Sequence, residues 1–529
     1  MLSIAVIGDG TIGTAMTDAA RRAGAPVVAA EEADVVVEAV PERLDVKRAV
    51  LRRAHEVSRP GAVLVTTTTA LRVADLAAGC GRPSRLVGLH LPEPGSATVE
   101  IVVPGDAPPE VRGVVRELTD ALGFTAVALE DRPGLVSGAL QLGYLNAAVR
   151  MVEEGYASCE SVDLAMALGC GLPRGPFAQL DLIGLDTARD TLAALYERTG
   201  DPLFRPAPTL SRLVADGRLG RKSGGGFRTE PSHGTGEAGA GHAGNGVRRV
   251  GVVGSGTMAT GIAEVCVRAG HPVDLAARTR EKAAAARAAI LRSMDRAVRR
   301  GRLDPGDRDA AAARLTVHEK LTGVAGCDAV IEAVVEDAAV KRRIFAELDA
   351  LCPDATMLAT TTSSLSVLDC AAGTGRADRV VGLHFFNPAP VMRLVELATT
   401  AHTAHEVAAT AEAFCHGLGK RAVRCGDRTG FIVNALLLPY LNRAARLLGS
   451  GYADAERIDT VMRDGCGYPM GPLRLLDTIG LDVSVAILAS LRDSFGDEDL
   501  APAPALRDLV AAGRLGRKTG AGFHAYERP

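Results

Sequence analysis

The stretch 250-VGVVGSGTMATGI-262 decides how this chain is read, because a short β-branched strand at Val250 to Val253 runs through a glycine turn into an apolar-periodic helix over Thr260 to Ala269. In that setting Gly254 permits the tight turn and Gly256 lets a pyrophosphate approach the backbone. Thr257 and Met258 continue the turn as candidate cofactor-binding residues, and the small Ala259 lets helix pack on strand. The letters GxGxx(G/A) alone are weak; their strand-turn-helix setting favours a dinucleotide over a purely structural turn.

Working outward, further strands are expected at Val273 to Ala276, Ala329 to Ile331, Met357 to Thr360 and Val380 to Leu383, with helices between them and a long Ala/Arg helix from about Arg280. Alternating strands and helices predict a parallel, doubly wound sheet. From about Thr429 only helical patterns remain, at Ile432 to Leu448, Ala453 to Gly465, Pro472 to Ile479 and Asp482 to Ser494. The fold class is therefore α/β plus all-α.

This plan occurs twice. Ile4 to Met16 reads IAVIGDGTIGTAM, and the ending LVADGRLGRKSGGGF at Leu213 to Phe227 returns as LVAAGRLGRKTGAGF at Leu509 to Phe523. Comparing the copies shows a deletion: Gly8 aligns with Gly254 at an offset of 246, but Glu38 aligns with Glu332 at an offset of 294, so about 48 residues are missing from the first copy. They fall where a Rossmann domain receives the adenosine ribose. The expected division is a shortened, degenerate Rossmann-like domain over 1–132, a helical domain over 133–228 and a Gly/Ala-rich linker over 229–247. An NAD(P)-binding Rossmann domain over 248–428 and a second helical domain over 429–529 follow.

Composition narrows the function classes. At 529 residues the chain suits three or four domains, and a net charge of -3 with mixed signs offers nothing to nucleic acid or to a polybasic membrane contact. The opening MLSIAVIG runs straight into a strand and no apolar run reaches bilayer length, so a soluble cytoplasmic protein is expected. Ten cysteines without CxxC or Cys/His ligand spacing predict buried thiols and no metal. The absence of Trp argues against stacking platforms for single strands.

At the end of the second strand, LAARTR places Ala277 where NAD-binding domains offer an acidic residue to the ribose, and Arg278 follows. A guanidinium there can pair bidentately with a 2′-phosphate. NADP is thus expected ahead of NAD, the alternative being that Arg278 is only a solvated residue at a helix start.

Beyond this point the residues resemble a known family. IEAVVEDAAVKRRIFAELDALCPDATMLATTTSSLSV, GLHFFNPAPVMRLVEL, DRTGFIVNALLLPYLN, GYPMGPLRLLDTIGLD and GRLGRKTGAGF resemble, in order, the signatures of the 3-hydroxyacyl-CoA dehydrogenases, including 3-hydroxybutyryl-CoA dehydrogenases, over nearly all of Arg248 to Tyr526. The resemblance implies an oxidoreductase of fatty acid metabolism acting on a short-chain (3S)-3-hydroxyacyl-CoA. It implies His384 as the base and Glu396 as its partner. Ser363 and Asn434 would donate hydrogen bonds to the reacting oxygen, Asn387 would support the same pocket, and Glu336 and Lys341 would lie beside the nicotinamide half of the cofactor. One departure stands out: the usual NTSS reads Thr361-Thr362-Ser363-Ser364, so a planar amide is replaced by a hydroxyl. Other readings are a dehydrogenase of a non-CoA hydroxy acid or sugar acid, and a non-catalytic cofactor-binding scaffold.

The first copy keeps His90 and Glu100 in the places of His384 and Glu396. It has Glu93 for Asn387, Thr69 for Ser363 and Gly138 for Asn434, which reads as degeneration. Its helical domain is complete, with GLPRGPFAQLDLIGLD mirroring GYPMGPLRLLDTIGLD. Because members of the family pair through that domain, the resemblance implies an internal pseudo-dimer, with further homo-oligomerisation an open alternative.

Overall fold

The computed structural model describes residues 2–228 and 246–527. The expected linker at 229–247 lies, except for Gly246 and Val247, outside the described residues.

Each half carries one sheet. In the first half, β1 (Ile4–Ile7), β2 (Val35–Glu38), β3 (Val63–Thr66), β4 (Leu86–His90), β5 (Thr98–Val102) and β6 (Thr125–Ala128) pair in that spatial order. The second half contains β7 (Val250–Val253), β8 (Val273–Ala276), β9 (Leu315–His318), β10 (Ala329–Glu332), β11 (Met357–Thr360), β12 (Val380–Phe385), β13 (Leu394–Thr399) and β14 (Arg421–Gly426). Their order is β14-β13-β12-β11-β10-β7-β8-β9. The dinucleotide-type helix starts earlier than its apolar period suggests, at Thr257, and ends at Arg268.

The sheets are not wholly parallel. β4 and β5 run antiparallel, as do β12 and β13, which face His384 to Glu396 in register. The short connection over 386–393 cannot house the crossover that a parallel return requires, so the chain doubles straight back. This return brings a histidine and a glutamate twelve residues apart side by side.

Strand order separates the two copies more sharply than any substitution. In the second sheet the order reverses between β7 and β10, the place where the loops after the strand ends part and leave a crevice. In the first sheet β1 pairs directly with β2 and no reversal exists. All that remains of a counterpart to β8 is an isolated bridge from Ile4 to Val27, supported by Ile4 N–H donating to the Pro26 carbonyl and Val28 N–H to that of Ile4.

The helical domains follow as Ser137–Glu153, Cys159–Cys170, Pro176–Ile183 and Leu185–Thr199 in the first half, matched by Val433–Gly449, Ala455–Thr460 with its continuation to Gly465, Pro472–Ile479 and Leu481–Phe495 in the second. The repeated ending is a structural requirement common to both. Asp477 accepts the N–H groups of Phe523 and His524 at 2.9 Å each, as Asp181 accepts those of Phe227 and Arg228 at 2.9 and 3.0 Å. A Cβ at Gly522 or Gly226 would collide with those carboxylates.

Helix Ser137–Glu153 packs along Val433–Gly449, with the Tyr144 and Tyr440 rings 6.0 Å apart, and one hydrophobic core runs through both helical domains. Polar ties cross between the halves as well. The Tyr452 hydroxyl donates to the Glu130 carbonyl at 3.1 Å, and Arg443 pairs with Asp201 at 2.5 Å. No helix among the described residues is long and apolar enough to cross a membrane.

Candidate active site

The glycine turn closes β7 onto the helix Thr257–Arg268. Gly254 has φ +135°, and a Cβ there would strike the Ala333 carbonyl and lie 3.2 Å from the Cβ of Ala259, so the protein itself demands glycine at that position. A Cβ on Gly256 would meet no protein atom within 4 Å. Gly256 is the N-cap of the helix, no side chain caps the N–H groups at Thr257 and Met258, and the first turn holds no acid. Smallness at Gly256 with open helix N–H groups suits the close approach of a pyrophosphate, so these residues fit a dinucleotide. Arg278 is exposed just beyond β8, beside Thr279, whose hydroxyl accepts from Lys282 N–H at the start of the next helix. Among the described residues Arg278 forms no ion pair.

Behind the crevice lies a buried polar clamp that sequence reasoning only half found. Lys341 is wholly buried, its ammonium 2.9 Å from both oxygens of the equally buried Glu332, whose carboxylate also accepts from Thr360 Oγ1 at 2.8 Å and Val334 N–H at 2.7 Å. Glu336 reaches the same ammonium at 3.5 Å. Its other oxygen accepts from Thr362 Oγ1 at 2.6 Å, from Ser363 N–H at 2.8 Å and from Ser364 N–H at 2.9 Å. Burial raises the Glu336 pKa, but Lys341, the Thr362 hydroxyl and the two N–H groups outweigh it and hold the carboxyl below its ordinary range. The clamp thereby fixes the loop that carries Ser363.

The same clamp stands in the first copy. Lys47 pairs with Glu38 at 2.8 Å, and Glu42 gathers Thr68 Oγ1 at 2.5 Å, Thr69 N–H at 2.9 Å and Ala70 N–H at 2.7 Å. A copy that has lost its strand reversal still keeps it, so the demand for these residues comes from the loop.

At the end of β12, His384 Nδ1 lies 2.7 Å from Glu396 Oε2. The other Glu396 oxygen accepts from Ile432 N–H at 3.0 Å and Val433 N–H at 2.8 Å at the start of helix Val433–Gly449, so the carboxylate is held from two sides in a fully buried position. These donors are aimed by a turn in which Gly430 has φ +78° and Phe431 φ +46°. With Nδ1–H donating to the carboxylate, Nε2 is left with its lone pair as the basic atom. Asn434 Nδ2 donates to the Ser363 carbonyl at 3.5 Å, which joins the helix start to the loop after β11. Ser363, His384, Glu396 and Asn434 are thus brought together by direct contacts or by adjacent backbone.

Asn387 is exposed on the connection from β12 to β13, and no hydrogen bond ties it to His384, Ser363 or Asn434 among the described residues. That connection is held instead by Lys420, which sequence reasoning missed. Its buried ammonium donates to the carbonyls of Ala389 at 2.6 Å and Met392 at 2.8 Å, and burial lowers its pKa. Ala389 in turn lies against the dinucleotide-type helix, since a Cβ on Gly261 would be 3.2 Å from its Cβ. The histidine loop and the glycine turn therefore share one end of the sheet.

In the first copy the pair is undone by a single hydroxyl. Ser137, in the place of Val433, donates a short hydrogen bond from Oγ to Glu100, which also accepts Val136 N–H at 2.8 Å and Ser137 N–H at 3.1 Å. His90 Nε2 is left 3.9 Å from that carboxylate and its Nδ1 turns to Thr69 Oγ1 at 3.1 Å. Glu93 is tied up by Arg174 at 2.5 Å and Gln179 at 2.9 Å.

Comparison with known proteins matches both halves. The family profile described as 3-hydroxyacyl-CoA dehydrogenase, NAD binding domain, covers residues 27–132 and 249–428, and the one described as 3-hydroxyacyl-CoA dehydrogenase, C-terminal domain, covers 134–230 and 430–526. A 3-hydroxybutyryl-CoA dehydrogenase of Mycobacterium tuberculosis is 46% identical over 283 residues, 53% of this chain and 99% of the relative. The human mitochondrial hydroxyacyl-coenzyme A dehydrogenase is 40% identical over 288 residues, 53% of this chain and 92% of the relative. The crystal structure of (S)-3-hydroxybutyryl-CoA dehydrogenase from Ralstonia eutropha is similar with a TM-score of 0.52 and 40% identity, covering 53% of this chain and 99% of that one.

Proposed function

Because the chain belongs to the 3-hydroxyacyl-CoA dehydrogenase family, we propose that its second half reversibly oxidises a short-chain (3S)-3-hydroxyacyl-CoA, such as 3-hydroxybutyryl-CoA, to the 3-oxoacyl-CoA. The observation that carries this reading is the 2.7 Å contact from His384 to a Glu396 pinned by two backbone N–H groups.

His384 Nε2 takes the proton of the C3 hydroxyl, and Glu396 fixes the ring and stabilises the imidazolium that results. Ser363 and Asn434 donate hydrogen bonds to the oxygen as it becomes a carbonyl, with Asn387 at the rim of the same pocket. A bound nicotinamide cofactor supplies the acceptor for hydride from C3. Gly254, Gly256, Thr257 and Met258 hold its pyrophosphate. Glu336 and Lys341 act on the nicotinamide side by keeping the Ser363 loop in place, a reading that the buried position of Lys341 supports.

Arg278 gives NADP the advantage over NAD. Exposed at the end of β8 and free of an ion pair among the described residues, it can take a 2′-phosphate as a bidentate partner. Replacing Arg278→Asp removes that pairing and adds repulsion, so the NADPH-to-NADH ratio of kcat/KM falls roughly tenfold to a hundredfold. An unchanged ratio in steady-state kinetics refutes the NADP assignment.

On this reading 1–132 is a shortened and degenerate cofactor-type domain, 133–228 and 429–529 are helical domains that form an internal pseudo-dimer, 229–247 is a linker, and 248–428 binds the cofactor of a cytoplasmic enzyme. The shared helical core and the absence of a strand reversal in the first sheet support it. The test is NADPH and NADH oxidation with acetoacetyl-CoA against free acetoacetate. The CoA ester is expected to win by roughly a hundredfold or more in kcat/KM, since remote binding energy is realised at the reacting centre. Equal turnover of the free acid favours the hydroxy-acid reading, and no turnover of either favours the scaffold.

A further inference from the structure

We infer that two residues of the first half, Gly169 and Tyr156, form the back wall of the catalytic site in the second half and position the His384–Glu396 pair. This rests on the reading of His384 as the base.

Gly169 lies on helix Cys159–Cys170 and faces three residues, each one step from the pair. A Cβ on it would be 3.0 Å from Leu394 Cδ2, 3.0 Å from Val433 Cγ2 and 3.6 Å from Phe386 Cε1. Leu394 lies on β13 two residues before Glu396 and points to the same face of the strand. Val433 gives Glu396 its 2.8 Å N–H bond. The Phe386 ring packs on the His384 imidazole with centroids 4.6 Å apart. One glycine in the non-catalytic half thus sets the depth to which the strand, helix start and ring that frame the pair can settle.

Tyr156 holds the approach to the same site. Its hydroxyl donates to the Gly426 carbonyl at 2.9 Å, its ring lies 4.2 Å from the Arg428 guanidinium carbon, and Arg428 pairs with Glu154 at 2.5 Å. Beyond Arg428, after Thr429, come Gly430 and Phe431, and Phe431 sits at φ +46° without being glycine. A side chain in the left-handed region persists only where its surroundings enforce it. Here the enforcing groups come partly from the other half of the chain, and the turn they hold is the one that aims Ile432 and Val433 N–H at Glu396.

The internal repeat supplies a control. Gly465 occupies the position of Gly169 in the second helical domain, and a Cβ on it would press on Pro92 of the first half at 2.9 Å, beside the degenerate His90. The two positions bear on opposite copies through equivalent interfaces.

In the full-length chain, Gly169→Val is expected to lower kcat with acetoacetyl-CoA roughly tenfold to a hundredfold while leaving the cofactor KM within about twofold, as loss of alignment at the reacting atoms does. Gly169→Ala recovers most of the rate, and Gly465→Val matches wild type. Tyr156→Phe, which removes one oxygen and keeps the ring, lowers kcat roughly threefold to tenfold and decides the matter if Gly169→Val does not fold. Wild-type kcat in Gly169→Val, equal losses in the two valine variants, or wild-type kcat in Tyr156→Phe overturns the inference. A wild-type protein inactive on acetoacetyl-CoA instead defeats the parent reading, which sensitivity of the rate to His384→Ala would uphold whatever Gly169 does.

Discussion

Replacing His384→Ala lowers acetoacetyl-CoA turnover roughly a hundredfold to ten-thousandfold, whereas His90→Ala leaves it at the wild-type rate. Both histidines lie near the end of the same strand of their sheets and both face a glutamate in register, so the strand pairing alone does not tell them apart. The difference lies in the hydrogen bonds. His384 keeps a 2.7 Å bond to its carboxylate, while the Ser137 hydroxyl has taken that carboxylate from His90 and left 3.9 Å between them. An imidazole without its acceptor has neither a fixed tautomer nor a partner for the charge it must accept. Initial rates with the preferred reduced nicotinamide settle the comparison, and equal losses in the two variants would show two working sites.

The second large effect is on stability. Lys341→Met strands the wholly buried Glu332 carboxylate, and breaking such a pair from one side costs about 3–5 kcal/mol. The denaturation midpoint in urea should fall accordingly. The double change Lys341→Met with Glu332→Gln recovers part of the loss, because a neutral amide can still accept from Thr360 and Val334. Lys47→Met, which breaks the matching 2.8 Å pair with Glu38, destabilises the first half comparably, with the kcat of the remaining folded enzyme unchanged. A Lys341→Met protein as stable as wild type would mean that the ammonium is not needed by the loop and would return Lys341 to direct cofactor contact.

Features set by local rules were legible in the sequence. The glycine turn announces itself through one positive-φ residue and one small one, and the helices of the second domain appear within a residue or two of their places. His384 and Glu396 were found by resemblance, and the antiparallel return that joins them was not, because a Pro-containing connection over 386–393 gives no period from which to read β13. Ser137 was invisible for a different reason. A serine at a helix start usually signals a cap, and only the position of Glu100 reveals that its hydroxyl captures a neighbour's carboxylate. Glu332 escaped because a carboxylate ending an apolar strand looks like a rim residue until Lys341 is seen folded beneath it. In each case the deciding partner is far along the chain.

The strand order of the first sheet also bears on ancestry. Exchanging Ser137 for Val and Gly138 for Asn would give the earlier half the residues that stand beside Glu396 in the later one. That half would still have no fork between neighbouring strands in which to seat an oxidant, for β1 adjoins β2 directly. Point mutation alone cannot rebuild a missing span of backbone, so giving the earlier half such a fork would take an insertion rather than a series of exchanges.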